Sequence, residues 1–154
     1  MTEKPVADLV LVPLASPLLA GVYVEGKLVR SWEEEGKTSD ILAPLYEKID
    51  RGYAIRNVYF ARGPGSYMAI KLAYVFLRTL QVAKGIGLYA VDGFYFTGGE
   101  PIKAAGRRWF RKEGEEITTF LPESEPQTRF LLPDRLVPDD FSQPVDPLYI
   151  LPPV

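Results

Sequence analysis

The distribution of proline constrains the fold of this chain more than any other sequence feature. Eight of the fourteen prolines lie between Pro122 and Pro153, in the last fifth of the chain. Because proline lacks a backbone N–H and disrupts helix interiors and central strands, this part should contain few regular elements. We therefore expect helices and strands before Pro122, and an extended segment lying over the surface after it.

Composition excludes several classes of chemistry. The chain has 154 residues, close to the size of one soluble domain, and contains neither cysteine nor histidine. Disulfides, thiol nucleophiles, Ser-His-Asp catalysis and histidine-ligated metals are therefore excluded. The 18 basic and 20 acidic residues leave a net charge of -2 and lack the positive excess of a dedicated DNA-binding domain. No apolar run approaches a membrane span, and Met1–Pro5 lacks a long apolar signal, so we expect a cytoplasmic protein.

Three strands are predicted at the start of the chain. The apolar run Ala7–Pro13 is short and ends at a proline, which favours a buried strand. The segments Leu18–Val24 and Lys27–Glu33 flank Glu25-Gly26, a connection that suits a hairpin. These three strands should form an antiparallel meander.

Helices and strands alternate in the next part of the chain. The predicted elements are a helix capped within Thr38–Asp40 and ending at Gly52, a strand Asn57–Ala61, a helix Tyr67–Lys84 capped by Ser66 and closed by Gly85, and a strand Gly87–Val91 followed by a turn capped by Asp92. The order β-β-β-α-β-α-β predicts an α/β fold with a mixed sheet, as in ribonuclease H-like and actin-like domains. A hairpin of Ile102–Phe110 and Glu116–Leu121 around Gly114 should follow, so we divide the chain into 1–98 and 99–154.

The sharpest local motif lies between the fourth strand and the second helix. It comprises Arg62, Gly63, Pro64, Gly65 and Ser66, with Tyr67 opening the helix. A glycine-rich turn at a helix N-terminus can hold a phosphate, because free N–H groups and the helix dipole favour an anion there. The motif lacks the Lys-Ser/Thr pair of a P-loop, so a tight structural turn is the competing interpretation.

The second helix is apolar on more than half of its circumference. Its predicted core stripe is Ala69, Leu72, Ala73, Phe76, Leu80 and Ala83. The opposite side carries Tyr67, Lys71, Tyr74, Arg78 and Gln81, flanked by Ile70, Val75 and Leu77. Such a helix exposes an apolar patch unless a partner or the chain's own C-terminal tail covers it. Tyrosine and arginine beside aliphatic residues are typical of interface cores.

Two charged clusters suggest weaker functional hypotheses. Lys103, Arg107, Arg108, Arg111 and Lys112 surround Trp109 and Phe110, a combination that can contact RNA, although nearby glutamates nearly neutralise it. A salt-bridged hairpin is therefore the favoured interpretation. Asp134, Asp139, Asp140 and Asp146 are separated by prolines without a metal-ligand spacing, so we expect them to be solvated.

The motif and the end of the chain resemble one known family. Residues Arg62–Tyr67 resemble the Gly-Pro-Gly-Ser-Phe-Thr-Gly signature of the TsaB (YeaZ) family, and Pro147–Ile150 resembles its closing Pro-x-Tyr-Leu-Arg. The resemblance runs from Ala7 to Val91 and resumes in the last residues, which implies an actin-like fold with a reduced second subdomain. Met68, Ala69, Lys71 and Leu151 depart from the family pattern, and the first connection, Val12–Pro17, lacks the aspartate that catalytic actin-like ATPases carry there.

This resemblance implies a non-catalytic scaffold, with no cofactor, metal or catalytic residue of its own. TsaB proteins bind the catalytic paralogue TsaD, and TsaE, in the threonylcarbamoylation of adenosine 37 of tRNA, which this chain would contact only indirectly. The predicted partner-binding residues are Ile41, Leu45 and Tyr46 of the first helix and Tyr67, Ile70, Lys71, Tyr74 and Arg78 of the second. Without a partner, the same surface could form a homodimer. The alternatives are a small ATP-dependent phosphotransferase that uses the Gly63–Ser66 loop, and a direct tRNA-binding module.

Overall fold

The computed structural model describes residues 3–150, and its regular elements lie almost entirely before Pro122, as predicted. In chain order they are β1 Val6–Val12, β2 Leu18–Val24, β3 Lys27–Glu34, α1 Thr38–Gly52, β4 Ala54–Ala61, α2 Tyr67–Lys84, β5 Gly87–Val91, β6 Ile102–Lys103, β7 Trp109–Glu113 and β8 Glu116–Phe120. Short 3-10 helices span Gly93–Phe96 and Pro138–Asp140.

The main sheet has five strands in the order β3-β2-β1-β4-β5. The first three form the predicted antiparallel meander, and β4 and β5 extend the sheet in parallel from β1. Both Glu25 and Gly26 have positive φ, of 53° and 80°, as a tight hairpin turn requires. The structure thus confirms a mixed α/β fold with the predicted order of elements.

The central strand β1 divides the core into two layers because its side chains alternate between the faces of the sheet. Leu9 and Leu11 belong to the layer between the sheet and the two helices, whereas Val10 and Val12 belong to the layer on the other face. All four residues are at most 2% exposed. A strand covered on both faces reads as a continuous apolar run, which is why the period-two pattern is hidden in the sequence.

The two helices confirm most of the predicted bounds. The Ser66 hydroxyl accepts a hydrogen bond from the Ala69 amide at the start of α2, and Gly85 ends the helix with a φ of 69°. The capping prediction for α1 is wrong, since Lys37 is its N-cap residue, makes no side-chain capping bond, and leaves Thr38–Asp40 in the first turn. Within residues 3–150, neither helix has both the length and the apolar character that crossing a membrane requires.

A smaller antiparallel sheet has the order β6-β7-β8. The hairpin around Gly114 joins β7 to β8 as predicted. The predicted first arm, Ile102–Phe110, is not one strand, because residues 104–108 form a turn in which the Ala104 amide bonds the Arg108 carbonyl at 3.0 Å. Gly106, with a φ of 62°, provides the left-handed residue of this turn.

The second face of the main sheet is covered by residues 130–150, here called the strap. The strap contacts the β3 edge, where the Leu28 amide donates to the Asp134 carbonyl, and the β5 edge, where the Gln143 amide donates to the Ala90 carbonyl, each at 3.0 Å. Between these edges Phe141 is 3% exposed. The expectation of a segment lying over the surface is therefore incomplete, because the strap also fills the second core layer.

Candidate functional site

The motif loop, formed by residues 62–66, packs against other parts of the chain on two sides. On one side the Ser66 amide donates to the Leu14 carbonyl at 2.9 Å, and a Cβ on Gly65 would lie 2.6 Å from the same oxygen. On the other side Gly63 has a φ of 135°, and a Cβ there would overlap the Leu148 carbonyl oxygen. The two glycines thus permit close backbone approach, and the Ser66 amide is already bonded within the protein. These contacts favour the structural interpretation of the loop.

Arg62 connects this loop to the strap. Its amide donates to the Val91 carbonyl at 3.0 Å, and its carbonyl accepts from the Leu148 amide at 2.9 Å. The guanidinium Nε also donates to the Asp146 carbonyl at 2.9 Å. Burial lowers the pKa of Arg62, because a charged guanidinium loses hydration there, while the charges of Asp146 and Asp92 act in the opposite direction. The backbone and the side chain of Arg62 therefore both hold the end of the strap.

A cleft of about 670 Å³ opens where the carboxyl ends of β1 and β4 meet the hairpin and the strap. Leu14, Phe110 and Ile150 contribute apolar walls, and Lys103 is the charged residue among those that line it. No carboxylate faces this cleft among its lining residues. The cleft therefore offers a mainly apolar surface beside the motif loop.

The outer face of α2 carries an exposed apolar stripe, formed by Met68, Val75 and Val82. Their exposed fractions are 57%, 55% and 89%, and their seven-residue spacing places them on one line along the helix. The helix contains three cations, Lys71, Arg78 and Lys84, and no carboxylate. The result is an apolar line on a basic helix. We call Met68, Val75 and Val82 the outer stripe.

The strap covers one edge of α2 but not the outer stripe. The rings of Tyr67 and Tyr149 lie 4.7 Å apart between centroids. The Tyr74 hydroxyl donates to the Asp146 carboxylate at 3.3 Å, and the Arg78 guanidinium lies 4.0 Å from the same carboxylate. Among residues 3–150, the alternative in which the chain's own tail covers the outward side of α2 thus holds for this edge, and the outer stripe stays exposed.

The structure separates the predicted partner-binding residues into buried and accessible groups. Leu45, Tyr46 and Ile70 are 5%, 6% and 3% exposed and pack in the core, so these three predicted contacts have almost no surface to offer. Ile41 is half-buried against the same core as Leu45 and Tyr46. The accessible members are Tyr67, Lys71, Tyr74 and Arg78.

The predicted core stripe of α2 also needs correction. Ile70 and Leu77, assigned to the outer flank, are buried, whereas Ala83, assigned to the core, is exposed. The buried face of α2 is therefore centred closer to Ile70 and Leu77 than the prediction placed it. The sequence signal for the exposed side was the seven-residue spacing of Met68, Val75 and Val82, which the prediction did not use.

The basic residues of the hairpin are largely engaged within the chain. Lys112 lies 2.5 Å from Asp92, Arg111 lies 3.3 Å from Glu113, and Arg108 donates to Thr119 at 3.1 Å. Lys103 donates to the Gly106 carbonyl at 2.7 Å. This arrangement favours the salt-bridged hairpin over an RNA-binding surface.

Asp92 is the centre of a buried polar cluster that sequence reasoning recognised only as a cap. The carboxylate accepts from the Phe94 amide at 3.0 Å, as predicted, and also from Lys112 of β7 and Gln143 of the strap, at 2.5 and 3.0 Å. With a side chain only 4% exposed, Asp92 needs these partners to offset its lost hydration. The cluster ties the main sheet, the hairpin and the strap together.

Comparison with known proteins identifies the fold. No protein-family model and no curated protein matches the chain. A crystal structure of an uncharacterized protein with similarity to peptidase YEAZ from Pseudomonas aeruginosa is similar with a TM-score of 0.58 and 16% identity, over 78% of this chain and 68% of that chain. YeaZ from Pseudomonas aeruginosa is similar with a TM-score of 0.55 and 18% identity, over 85% and 69%. The TsaB (YeaZ) resemblance predicted from the motif is therefore confirmed at the level of the fold.

Proposed function

We propose that this chain is a non-catalytic scaffold subunit that binds and activates TsaD through the outer face of α2. The proposal includes the finer assignments that accompany the TsaB resemblance: an actin-like fold with a reduced second subdomain, TsaE as a further subunit, a role in threonylcarbamoylation of tRNA adenosine 37, and a cytoplasmic location. The observation that carries it is the outer stripe, three exposed apolar side chains in line on a helix without acidic residues.

Charge and shape specify the partner surface that fits this helix. Apolar side chains in line favour packing against a second helix or a flat apolar surface, because burial removes them from water. Lys71 lies beside the stripe and has no acidic neighbour on α2. A matching partner therefore presents apolar residues bordered by carboxylates.

Two features of the chain support a scaffold function better than phosphotransferase activity. The Ser66 amide at the start of α2 bonds the Leu14 carbonyl, and the connection Val12–Pro17 contains no carboxylate to coordinate magnesium. The description of one structural neighbour as similar to a peptidase concerns that protein. This chain has no histidine or cysteine, so neither a histidine-ligated metal nor a thiol nucleophile could supply such chemistry here.

The test is binding to TsaD from the same source by a Val75→Glu/Val82→Glu variant. Placing two carboxylates in an apolar contact should weaken binding by at least about 100-fold, since each such interface position can be worth about 2 kcal/mol or more. These positions are preferred to Tyr74 and Arg78, because charge reversal there would also disturb the strap through Asp146.

A matched control adds the same charges elsewhere. Val29 and Val137 are 50% and 46% exposed, so Val29→Glu/Val137→Glu should bind TsaD like the unmodified chain. Equal melting temperatures of the two variants would show that both fold. Undiminished binding by the α2 variant, or an equal loss in both, would contradict the proposal. Sedimentation of the same proteins would show whether the stripe also mediates self-association.

A further inference from the structure

We propose that the motif loop is the seat for the chain's own C-terminal segment, Asp146–Tyr149, and that this seated segment forms one edge of the partner-binding surface. The first half concerns this chain alone. The second half rests on the proposed function. Together they assign the glycine-rich loop a role as an intramolecular docking site.

The motif loop contacts the backbone of the C-terminal segment, mainly at Leu148. Arg62 prolongs β4 and pairs with Val91 through its amide and with Leu148 through its carbonyl. Immediately after it, Gly63 lies so close to the Leu148 carbonyl that any side chain there would overlap it. The φ of 135° at Gly63 is also one that residues with a side chain rarely adopt. Glycine at this position is thus required by the segment that it contacts.

The segment is a fixed part of the fold. Lifting it would leave the Arg62 carbonyl and the Arg62 Nε without their partners at Leu148 and Asp146. Only two residues separate Asp146 from Gln143. Gln143 is itself fixed, because its side chain donates a hydrogen bond to the buried Asp92 carboxylate and its amide donates to Ala90 at the edge of β5. Leaving buried polar groups unpaired is costly. A segment held by this many hydrogen bonds is therefore not readily detached from the fold.

The outward side of the seated segment places an exposed carboxylate and an exposed tyrosine ring beside the edge of α2. The Asp146 side chain is 71% exposed, and Tyr149 and Tyr67 remain 38% and 57% exposed although their rings are in contact. The tyrosine pair lies at the N-terminal end of α2, one residue before Met68 of the outer stripe. Tyr67 lies about 100° around the helix from Met68, so the Tyr67–Tyr149 pair borders the outer stripe on its strap side. A partner that covers both the stripe and this edge contacts the pair.

The decisive variant is Gly63→Ala, with Gly36→Ala as its matched control. Gly36 has a similar φ of 126°, but a Cβ there would meet its nearest neighbour at an ordinary 3.6 Å. Amide hydrogen exchange measured by NMR should show the Leu148 amide protected in the unmodified chain and in Gly36→Ala, and exposed in Gly63→Ala. The Ser66 amide, bonded to Leu14 on the other side of the loop, should stay protected in all three.

The second readout is affinity for TsaD. Gly63→Ala and Tyr149→Ala should each weaken binding about tenfold, whereas Gly36→Ala should leave it unchanged. A protected Leu148 amide in Gly63→Ala would overturn the seat. Release of Leu148 with unchanged or tighter binding would overturn the role of the segment in the surface.

A second variant keeps the test decisive if Gly63→Ala does not fold. Leu148→Pro removes the amide N–H that donates a hydrogen bond to the Arg62 carbonyl, and it leaves the sequence of the loop unchanged. It should abolish the NMR contact between the Tyr67 and Tyr149 rings and weaken binding to the same extent. A preserved ring contact would overturn the seat. If the unmodified chain does not bind TsaD at all, the proposed function and the second half of this inference both fail, while amide exchange still decides the first half.

Discussion

On one face of the main sheet two helices bury apolar residues at helical spacing, whereas on the other face the irregular strap does so together with Tyr95 and Phe96 of the 3-10 helix Gly93–Phe96. The helical layer contains Leu42, Ile49 and Leu77 over Leu9 and Leu11. The strap layer depends on fewer and larger side chains, with Phe141 packed edge-to-face against Tyr59 at 5.2 Å. A sheet can therefore be sealed without a second helical layer when aromatic residues occupy the available volume.

Hydrogen bonding also differs between the two faces. The helices satisfy their own backbone groups, whereas the strap depends on distant donors. Tyr23 donates its hydroxyl to the Pro133 carbonyl at 2.5 Å, and Tyr95 donates to the Asp140 carboxylate at 2.8 Å. Because proline removes backbone donors from the strap, side chains of β2 and of the 3-10 helix Gly93–Phe96 supply them. The comparison indicates that the strap is a structural layer held by specific anchors.

The largest expected effect is at the centre of the strap. Phe141→Ala should lower the free energy of unfolding by about 3–5 kcal/mol, because it leaves a cavity against Tyr59 and Phe96. Leu131→Ala, at a strap position that is 65% exposed, should change it by less than about 0.5 kcal/mol. Urea denaturation measures both. If the two variants were equally stable, the strap would be a dispensable cover and the comparison would fail.

A slightly smaller effect is expected at the junction of the strap with both sheets. Lys112→Met should cost about 3 kcal/mol, because it leaves the buried Asp92 carboxylate without its cation while the Phe94 and Gln143 bonds remain. The neighbouring Arg111→Met breaks an exposed pair with Glu113 and should cost about 1 kcal/mol or less. Chemical denaturation of the two variants provides the measurement. A smaller loss for Lys112→Met than for Arg111→Met would contradict the assigned role of Asp92.

The smallest expected effect is a pH dependence to which two tyrosines on the strap face contribute. Burial, followed by the hydrogen bond to Asp140, raises the pKa of Tyr95 from 10.0 to about 12, and burial likewise raises the pKa of Tyr23. The unfolded chain releases these protons first, so their contribution to stability is complete below pH 10 and is lost as the pH rises toward 12 and beyond.

Replacing these hydroxyls tests that contribution. The double variant Tyr23→Phe/Tyr95→Phe should be less stable at neutral pH because the Pro133 carbonyl and the Asp140 carboxylate lose their donors. Its unfolding free energy should also fall less steeply between pH 10 and 12. Denaturant titrations across this range measure the slope. An identical slope in the variant and the unmodified chain would show that these tyrosines do not anchor the strap.

Much of the fold was predictable from local signals. Turn residues at Glu25-Gly26, the Ser66 cap and the Gly85 stop located the hairpin and α2 correctly, because each acts on backbone within a few residues. The order of strands and helices then limited the sheet to few topologies. The motif loop was predictable as a turn, and its resemblance led to the fold that comparison confirmed.

Only the tertiary structure decided which side of α2 faces outward and where the strap runs. The sequence offers Ile70 and Leu77 as well as Met68 and Val75, and a helix apolar over most of its circumference does not specify which arc the sheet will bury. The proline-rich strap has no periodicity, and its anchors join residues such as Tyr23 and Pro133 that are 110 positions apart. Contacts over such separations depend on the assembled sheet, so local sequence patterns do not contain them.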